Sequence, residues 1–199
     1  MEQFGAGMIT GWGAHHVDIA HWGMDMEHSG PVEIWGSAEF PKSGLWNVHG
    51  PFETHARYAN GVTMTISGAL PNGVKFIGDK GWVFVQRTGA VSSSDPSKPA
   101  DVPLTASDPR ILDSVIGPDE VRLYKAPEQH RNWLDAILKG VPVSAPAEIG
   151  HRACSTCLLH HIAMKTGRRL RWDPAAERFI GDDAANAMLA RPQRAKYAI

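Results

Sequence analysis

Asn60-Gly61 lies between two extended segments, Phe52–Tyr58 and Val62–Leu70. Both residues tolerate the positive φ that the centre of a type I′ turn requires, so the pattern predicts an antiparallel hairpin. A second hairpin is expected where Gly78-Asp79-Lys80-Gly81 separates Val74–Ile77 from Trp82–Gln86. Val32–Phe40 alternates imperfectly and reads as a further strand. Helical patterns lie outside this group. One covers 12–23, with Gly23 as its expected C-cap, and another covers 127–139, with Trp133, Ile137 and Leu138 apolar and Gly140 closing it. A third runs over 148–167 and a short one over 182–190. Strands grouped between helices predict an α+β fold, with a mainly antiparallel open sheet, helices packed on one face and no doubly wound nucleotide-binding sheet. The whole of 1–199 is expected to form a single domain. Pro96, Pro99, Pro103 and Pro109 interrupt any ladder or helix, so about 88–120 reads as a long flexible loop.

Charge and composition exclude several functions. Twenty basic residues against 21 acidic give a formal charge of −1, so there is no broad basic field for nucleic acid or an anionic membrane. The apolar runs are short and no N-terminal leader pattern is present. Two cysteines do not make a disulfide framework. A soluble protein is expected; the sequence leaves its compartment open, with the cytoplasm favoured, and any targeting signal would lie ahead of Met1.

Three segments hold candidate chemistry. Gly5-Ala6-Gly7-Met8-Ile9-Thr10 begins like a dinucleotide fingerprint, but Thr10 replaces the third glycine and only four residues precede it to form the leading strand. His15, His16, Asp18 and His21 are clustered, and helical spacing puts His15 and Asp18 one turn apart on one face, with Trp22 on that side. A carboxylate beside an imidazole fixes its tautomer and favours its protonated form, as general acid/base chemistry requires. The same spacing fits a helix that simply carries polar residues along its edge. It does not fit a zinc-protease pair, and no metal site is expected. His151-x-x-Cys154-x-x-Cys157-x-x-His160 imitates a zinc box. On one helix its ends lie roughly 13 Å apart and its side chains fan widely, so they cannot converge on one ion. Cys154, Cys157, Leu158 and Ile162 are read instead as an apolar stripe.

An ordered series of segments changes the reading. Gly7-Met8-Ile9-Thr10 followed by Trp12-Gly13-Ala14-His15-His16-Val17-Asp18-Ile19-Ala20 resembles the helix that opens the second domain of the glucose–fructose oxidoreductase/inositol dehydrogenase (Gfo/Idh/MocA) family. Ser29-Gly30-Pro31-Val32-Glu33-Ile34, Tyr58-Ala59-Asn60-Gly61-Val62 and Phe76-Ile77-Gly78-Asp79-Lys80-Gly81-Trp82-Val83 are similar to that family's sheet. Leu170-Arg171-Trp172-Asp173-Pro174, Gly181-Asp182-Asp183-Ala184-Ala185-Asn186 and Arg191-Pro192-Gln193-Arg194 are similar to its tail.

The resemblance implies the substrate-binding and oligomerisation domain of an NAD- or NADP-dependent oxidoreductase of sugars, cyclitols or related polyols. The family's dinucleotide-binding domain would be absent from 1–199. By resemblance, His15 matches the acid/base histidine, Asp18 orients it or holds a substrate hydroxyl, and His16 and Trp12 contact substrate. Position 11 is Gly, where the family often has Asp. The chain alone is expected to bind no cofactor and to be inactive. The open sheet is expected to form a homo-oligomer. Two alternatives stand beside this reading: a stand-alone ligand-binding or oligomerisation module without catalysis, and a member that uses NAD to cleave glycosides.

Overall fold

The computed structural model describes residues 1–86, 103–126 and 128–197. The chain divides into two compact units, one formed by residues 1–70 with 151–199 and the other by 71–150.

The first unit is built on a five-stranded sheet in the order β3-β2-β1-β7-β8. The strands are β1 (Glu33–Ala38), β2 (Phe52–Arg57), β3 (Thr63–Ser67), β7 (Leu170–Asp173) and β8 (Arg178–Phe179), and every neighbour is antiparallel. Period-two alternation divides the side chains between the two faces. Ile34, Ala56, Leu170 and Trp172 are buried, and they pack with Leu159, Ile162 and Ala163 of α3 (Ala147–Thr166). A second cluster joins Val17 of α1 (Trp12–Met24), Cys157 and Met164 of α3, and Ala6 and Ile9 ahead of α1. These are the expected α+β class and antiparallel sheet, with helices on one face. The opposite face presents Glu33, Trp35, Glu53, His55, Arg57 and Arg171. A short α4 (Asp183–Asn186) follows β8, capped by Asp182, which accepts from the Ala185 N–H.

The β2–β3 hairpin forms where expected but with a different turn. Among its loop residues only Gly61 has positive φ (+88°). Gly61 N–H donates to Tyr58 O, Tyr58 N–H to Val62 O, and Asn60 Oδ1 accepts from Val62 N–H. Ala59–Gly61 is therefore a three-residue loop, a tight turn followed by one left-handed glycine, rather than a two-residue type I′ turn. The Asn60 side chain bonds two residues onward, which takes the place of a second positive φ. β7 was not anticipated. It is four residues long, and its partner β1 lies far upstream, at Glu33↔Arg171 and Ile34↔Leu170.

Gly36 shows how tightly β1 and β2 pack. A Cβ there would lie 2.6 Å from the Thr54 Cα, Cβ and Oγ1 in the paired strand. The obstruction includes backbone, so relief requires the strands to separate. Gly36→Ala is expected to destabilise the chain by about 1–3 kcal/mol, read from urea-denaturation midpoints. An unchanged midpoint would show that the two strands separate freely.

α1 runs past Gly23 to Met24 and ends on Asp25, at φ +56°, instead of on the glycine. α3 also departs from the expected stripe, because Cys154 and Leu158 are exposed while Cys157 and Ile162 are buried. The helix serves two clusters, so its inward surface is wider than one row, and nearly every residue from Leu159 to Met164 is enclosed. It closes on Gly167 at φ +62°, as the glycine predicted.

In the second unit, β4 (Val74–Gly78) and β5 (Gly81–Val85) form the second expected hairpin, and β5 pairs with β6 (Leu104–Ala106). Residues 88–102 of the expected loop lie outside the described residues. Over 104–111 the loop expectation is overturned, since β6 is laddered to β5 and Pro109–Ile111 forms a 3-10 turn capped by Asp108, while 112–120 carries neither helix nor strand. Pro109 opens that turn, where its missing N–H costs nothing. α2 (Gln129–Lys139) ends on Gly140 at φ +69°, and Asn132 is bonded to the Tyr124 hydroxyl and Pro142 carbonyl. Among the described residues, no helix is long and apolar enough to cross a membrane.

Candidate functional site

α1 presents two faces of different chemistry. Gly13, Val17, Ala20 and His21 are buried, whereas His15, Asp18 and Trp22 are exposed. The latter three recur at helical spacing, so they share the outer face, with His16 and Trp12 half-buried beside them. The Trp12 ring lies 5.9 Å from that of His15 and 6.0 Å from that of His16, centroid to centroid. Partial burial raises the Asp18 carboxyl above its ordinary value, and the nearby His15 offsets part of that rise. The helix thus carries an imidazole and a carboxyl one turn apart with an indole next to them, on a face open to a ligand.

Buried contacts fix the opposite face and both ends of the helix. His21 Nε2 lies 2.8 Å from the hydroxyl of the fully buried Tyr58 in the β2–β3 connection. Before the helix, Ile9 N–H donates to His49 Nε2 at 3.3 Å, and His49 Nδ1–H donates to Gly50 O. That pattern sets the His49 tautomer. Burial pushes His49 below the usual histidine value, the Gly50 hydrogen bond opposes the change, and neighbouring His161 adds to it. Gly7, at φ +87°, packs against Val48 and His49, where a Cβ would come within 3.1 Å. The glycine-rich start is therefore folded into its own core. Ala6 and Ile9 are almost wholly buried, and Thr10 Oγ1 accepts from Ala6 N–H while donating to Gly7 O. A pyrophosphate needs exposed backbone N–H groups at a helix start following a strand, so this segment does not fit a nicotinamide dinucleotide.

The histidines of the false zinc box go to separate places. His151 Nε2 meets both oxygens of Glu177, at 2.9 and 3.0 Å, at the surface. His160 is completely buried with Nδ1 2.8 Å from Thr54 Oγ1. Thr54 gives its one hydroxyl proton to Trp35 O, so His160 Nδ1–H is the donor to Thr54. Among the described residues, no group of three or more His, Cys, Asp or Glu could hold a metal ion.

The sequence grouped His21 with His15, His16 and Asp18. The structure separates it as the buried anchor of the helix. A signal was present, because His21 follows Val17 by four residues and lies on the helix's inward row. His160 and Tyr58 were passed over as site residues, since polarity alone gave no reason to bury them.

Residues 116–199 match the family model described as the oxidoreductase family, C-terminal alpha/beta domain. Two solved structures share the fold. One is an NAD-binding protein from Listeria innocua, 18% identical, with 86% of this chain and 53% of that one covered at a TM-score of 0.51. The other, provisionally named an NADPH-dependent oxidoreductase, comes from Desulfitobacterium hafniense DCB-2. It is 13% identical, with 84% of this chain and 48% of that one covered at a TM-score of 0.54. The chain thus spans about half the length of the solved structures it matches. No curated protein matches it. Over residues 116–199 the chain is similar to the C-terminal alpha/beta domain of the Gfo/Idh/MocA oxidoreductase family, the same family that its segments between Leu170 and Arg194 resemble.

Proposed function

We propose that this chain is the substrate-side half of an NAD- or NADP-dependent oxidoreductase acting on a sugar, cyclitol or related polyol. The observation that carries the reading is the outer face of α1, where His15 and Asp18 stand exposed one turn apart while His21 and His49 lock the helix in place. Oxidation of a carbinol carbon requires its hydroxyl proton to leave, and His15 is the group placed to take it. Asp18 orients the imidazole or holds an adjacent hydroxyl, while Trp12 and His16 supply an apolar wall and a further polar contact for a ring-shaped substrate.

The nicotinamide accepts or supplies the hydride when bound. That Ala6 and Ile9 of the Gly5–Thr10 segment are packed into this chain's core supports a reading in which another domain supplies the cofactor's binding residues. The open face of the sheet is the surface through which copies of the chain would associate.

Two measurements test the proposal. NADH and NADPH are titrated into the chain alone, and reduced-nicotinamide absorbance is followed in a protein joining this chain to a dinucleotide-binding half, with polyols and aldoses as substrates. We expect no saturable binding to the chain alone and turnover in the joined protein. Micromolar dinucleotide binding by the chain alone, or no turnover across the panel, would overturn the reading.

A further inference from the structure

The outer face of α1 continues well past His15 and Asp18. Gly11, His15, Asp18, Trp22 and Asp25 are all exposed, and their spacing of three or four residues makes them one stripe along the helix. His15 and Trp22 are seven residues apart, which is about 10.5 Å along the axis and within about 20° of two full turns. Trp22 is 45% exposed. Ile19 lies half-buried one turn before it, and the exposed Gly23 that follows adds no side chain at that end of the face.

Most of the other indoles are engaged. The Arg169 guanidinium lies 3.7 Å over the Trp35 ring, whose other neighbour is His55, and Lys75 Nζ lies 4.2 Å over the Trp82 ring. Trp172 packs edge-on against Phe179 at 5.0 Å, and Trp12 stands beside His15 and His16. Among the described residues, the Trp22 indole has no hydrogen bond, ring contact or ionic partner. Single exposed apolar side chains are ordinary. What distinguishes Trp22 is its place, on the stripe that carries His15 and with Asp18 between the two.

Size and charge then limit what the stripe can hold. A six-membered ring with bonds near 1.5 Å spans roughly 5–6 Å with its hydroxyls, so one ring over His15 and Asp18 ends short of Trp22. Two linked rings reach it. No Lys or Arg occurs on α1, and apart from histidine the ionisable groups of the stripe are Asp18 and Asp25. A phosphate or carboxylate on the far ring would therefore meet carboxylates without a compensating cation, which selects a neutral group. The C–H face of a pyranose is apolar and flat enough to lie on an indole while its hydroxyls stay in water.

We propose that the α1 face takes a neutral two-ring saccharide, with the reacting ring at His15 and Asp18 and the second ring stacked on Trp22. The role of the first ring rests on the oxidoreductase reading, whereas the second subsite is a matter of binding alone.

The test uses the 199-residue chain, titrated calorimetrically with glucose, myo-inositol, cellobiose and maltose as separate probes. At least one of the two disaccharides is expected to bind roughly tenfold or more tightly than glucose. Trp22→Ala should remove that advantage and leave glucose binding unchanged, and alanine suits a helix, so α1 should still form. Trp22→Phe keeps a flat ring and is expected to bind the disaccharide at an intermediate level. Trp133→Ala removes an exposed indole on α2 and should bind all four probes as the parent does. The proposal is overturned if neither disaccharide binds more tightly than glucose, or if Trp22→Ala binds both as the parent does. It is equally overturned if Trp22→Ala weakens glucose as much as the disaccharide, because the indole then serves the helix rather than a second ring. Binding of glucose or myo-inositol without a disaccharide advantage removes the second subsite and leaves the oxidoreductase reading standing. Binding of none of the four also refutes the two-ring site, and turnover of the joined protein on glucose or myo-inositol then decides that reading separately.

Discussion

Asparagine in place of His15 is expected to lower kcat by about 10²–10⁴-fold in a protein that joins this chain to a dinucleotide-binding half. Asn keeps a polar side chain of similar reach but cannot take up a proton at neutral pH. His15 is exposed and none of its contacts anchors α1, so the helix should survive the change. KM for the polyol should move much less than kcat, because the lost interaction belongs to proton transfer rather than to binding. Asp18→Asn is expected to have a smaller effect in the same direction, since the group that moves the proton remains. If His15→Asn retains full kcat, another residue is the base. If His16→Asn shows the large loss instead, the roles of the two adjacent histidines are exchanged.

The second large effect concerns stability and pH. Burial pushes the His21 ring down to about 4. His160 is lowered to about 3, first by burial and then by the neighbouring rings of His21 and His55. As pH falls below about 6.5, the unfolded chain protonates both residues while the folded chain keeps them neutral. The unfolded state then binds more protons, so stability declines with falling pH throughout the window from about 6.5 to about 4. Each such group changes stability by roughly 1.4 kcal/mol per pH unit, and two together approach twice that slope. Domains are commonly stable by only about 5–15 kcal/mol, so the chain is expected to unfold in mild acid. Urea midpoints measured between about pH 7 and pH 4.5 give the slope. His160→Gln should roughly halve it, whatever the substitution does to stability at neutral pH. A slope equal to the parent's would mean that His160 is hydrated or protonated in the folded chain.

The parts of this fold that were legible in the sequence depend on neighbours along the chain. Gly140 and Gly167 stop their helices as glycines do, and Asn60-Gly61 turns β2 back onto β3. The turn type was misread because a side-chain bond from Asn60 replaced a backbone conformation. β7 was missed because nothing local distinguishes Leu170–Asp173 from a loop before Pro174. Only its pairing with Glu33 and Ile34 makes it a strand. The same limit applied to the site. His15 and Asp18 could be paired by spacing alone, whereas the His160–Thr54 bond joins residues 106 positions apart. The outward turn of Cys154 and Leu158 likewise depends on which clusters α3 must fill, and that is settled by the sheet.

Near the start of the chain, the backbone is tied to residues from its far end. Arg191 donates to the carbonyls of Glu2 and Gln3, Glu2 Oε1 meets His161 Nε2, and its other oxygen meets Lys165 Nζ. With these sequence-distant segments held side by side, the order in which the first unit's elements are threaded matters less than their final positions. A permutant that joins Arg191 to Glu2 through a short Gly/Ser linker and opens instead between Asn60 and Gly61 would keep the buried contacts of the five-stranded sheet while placing the break in an exposed turn.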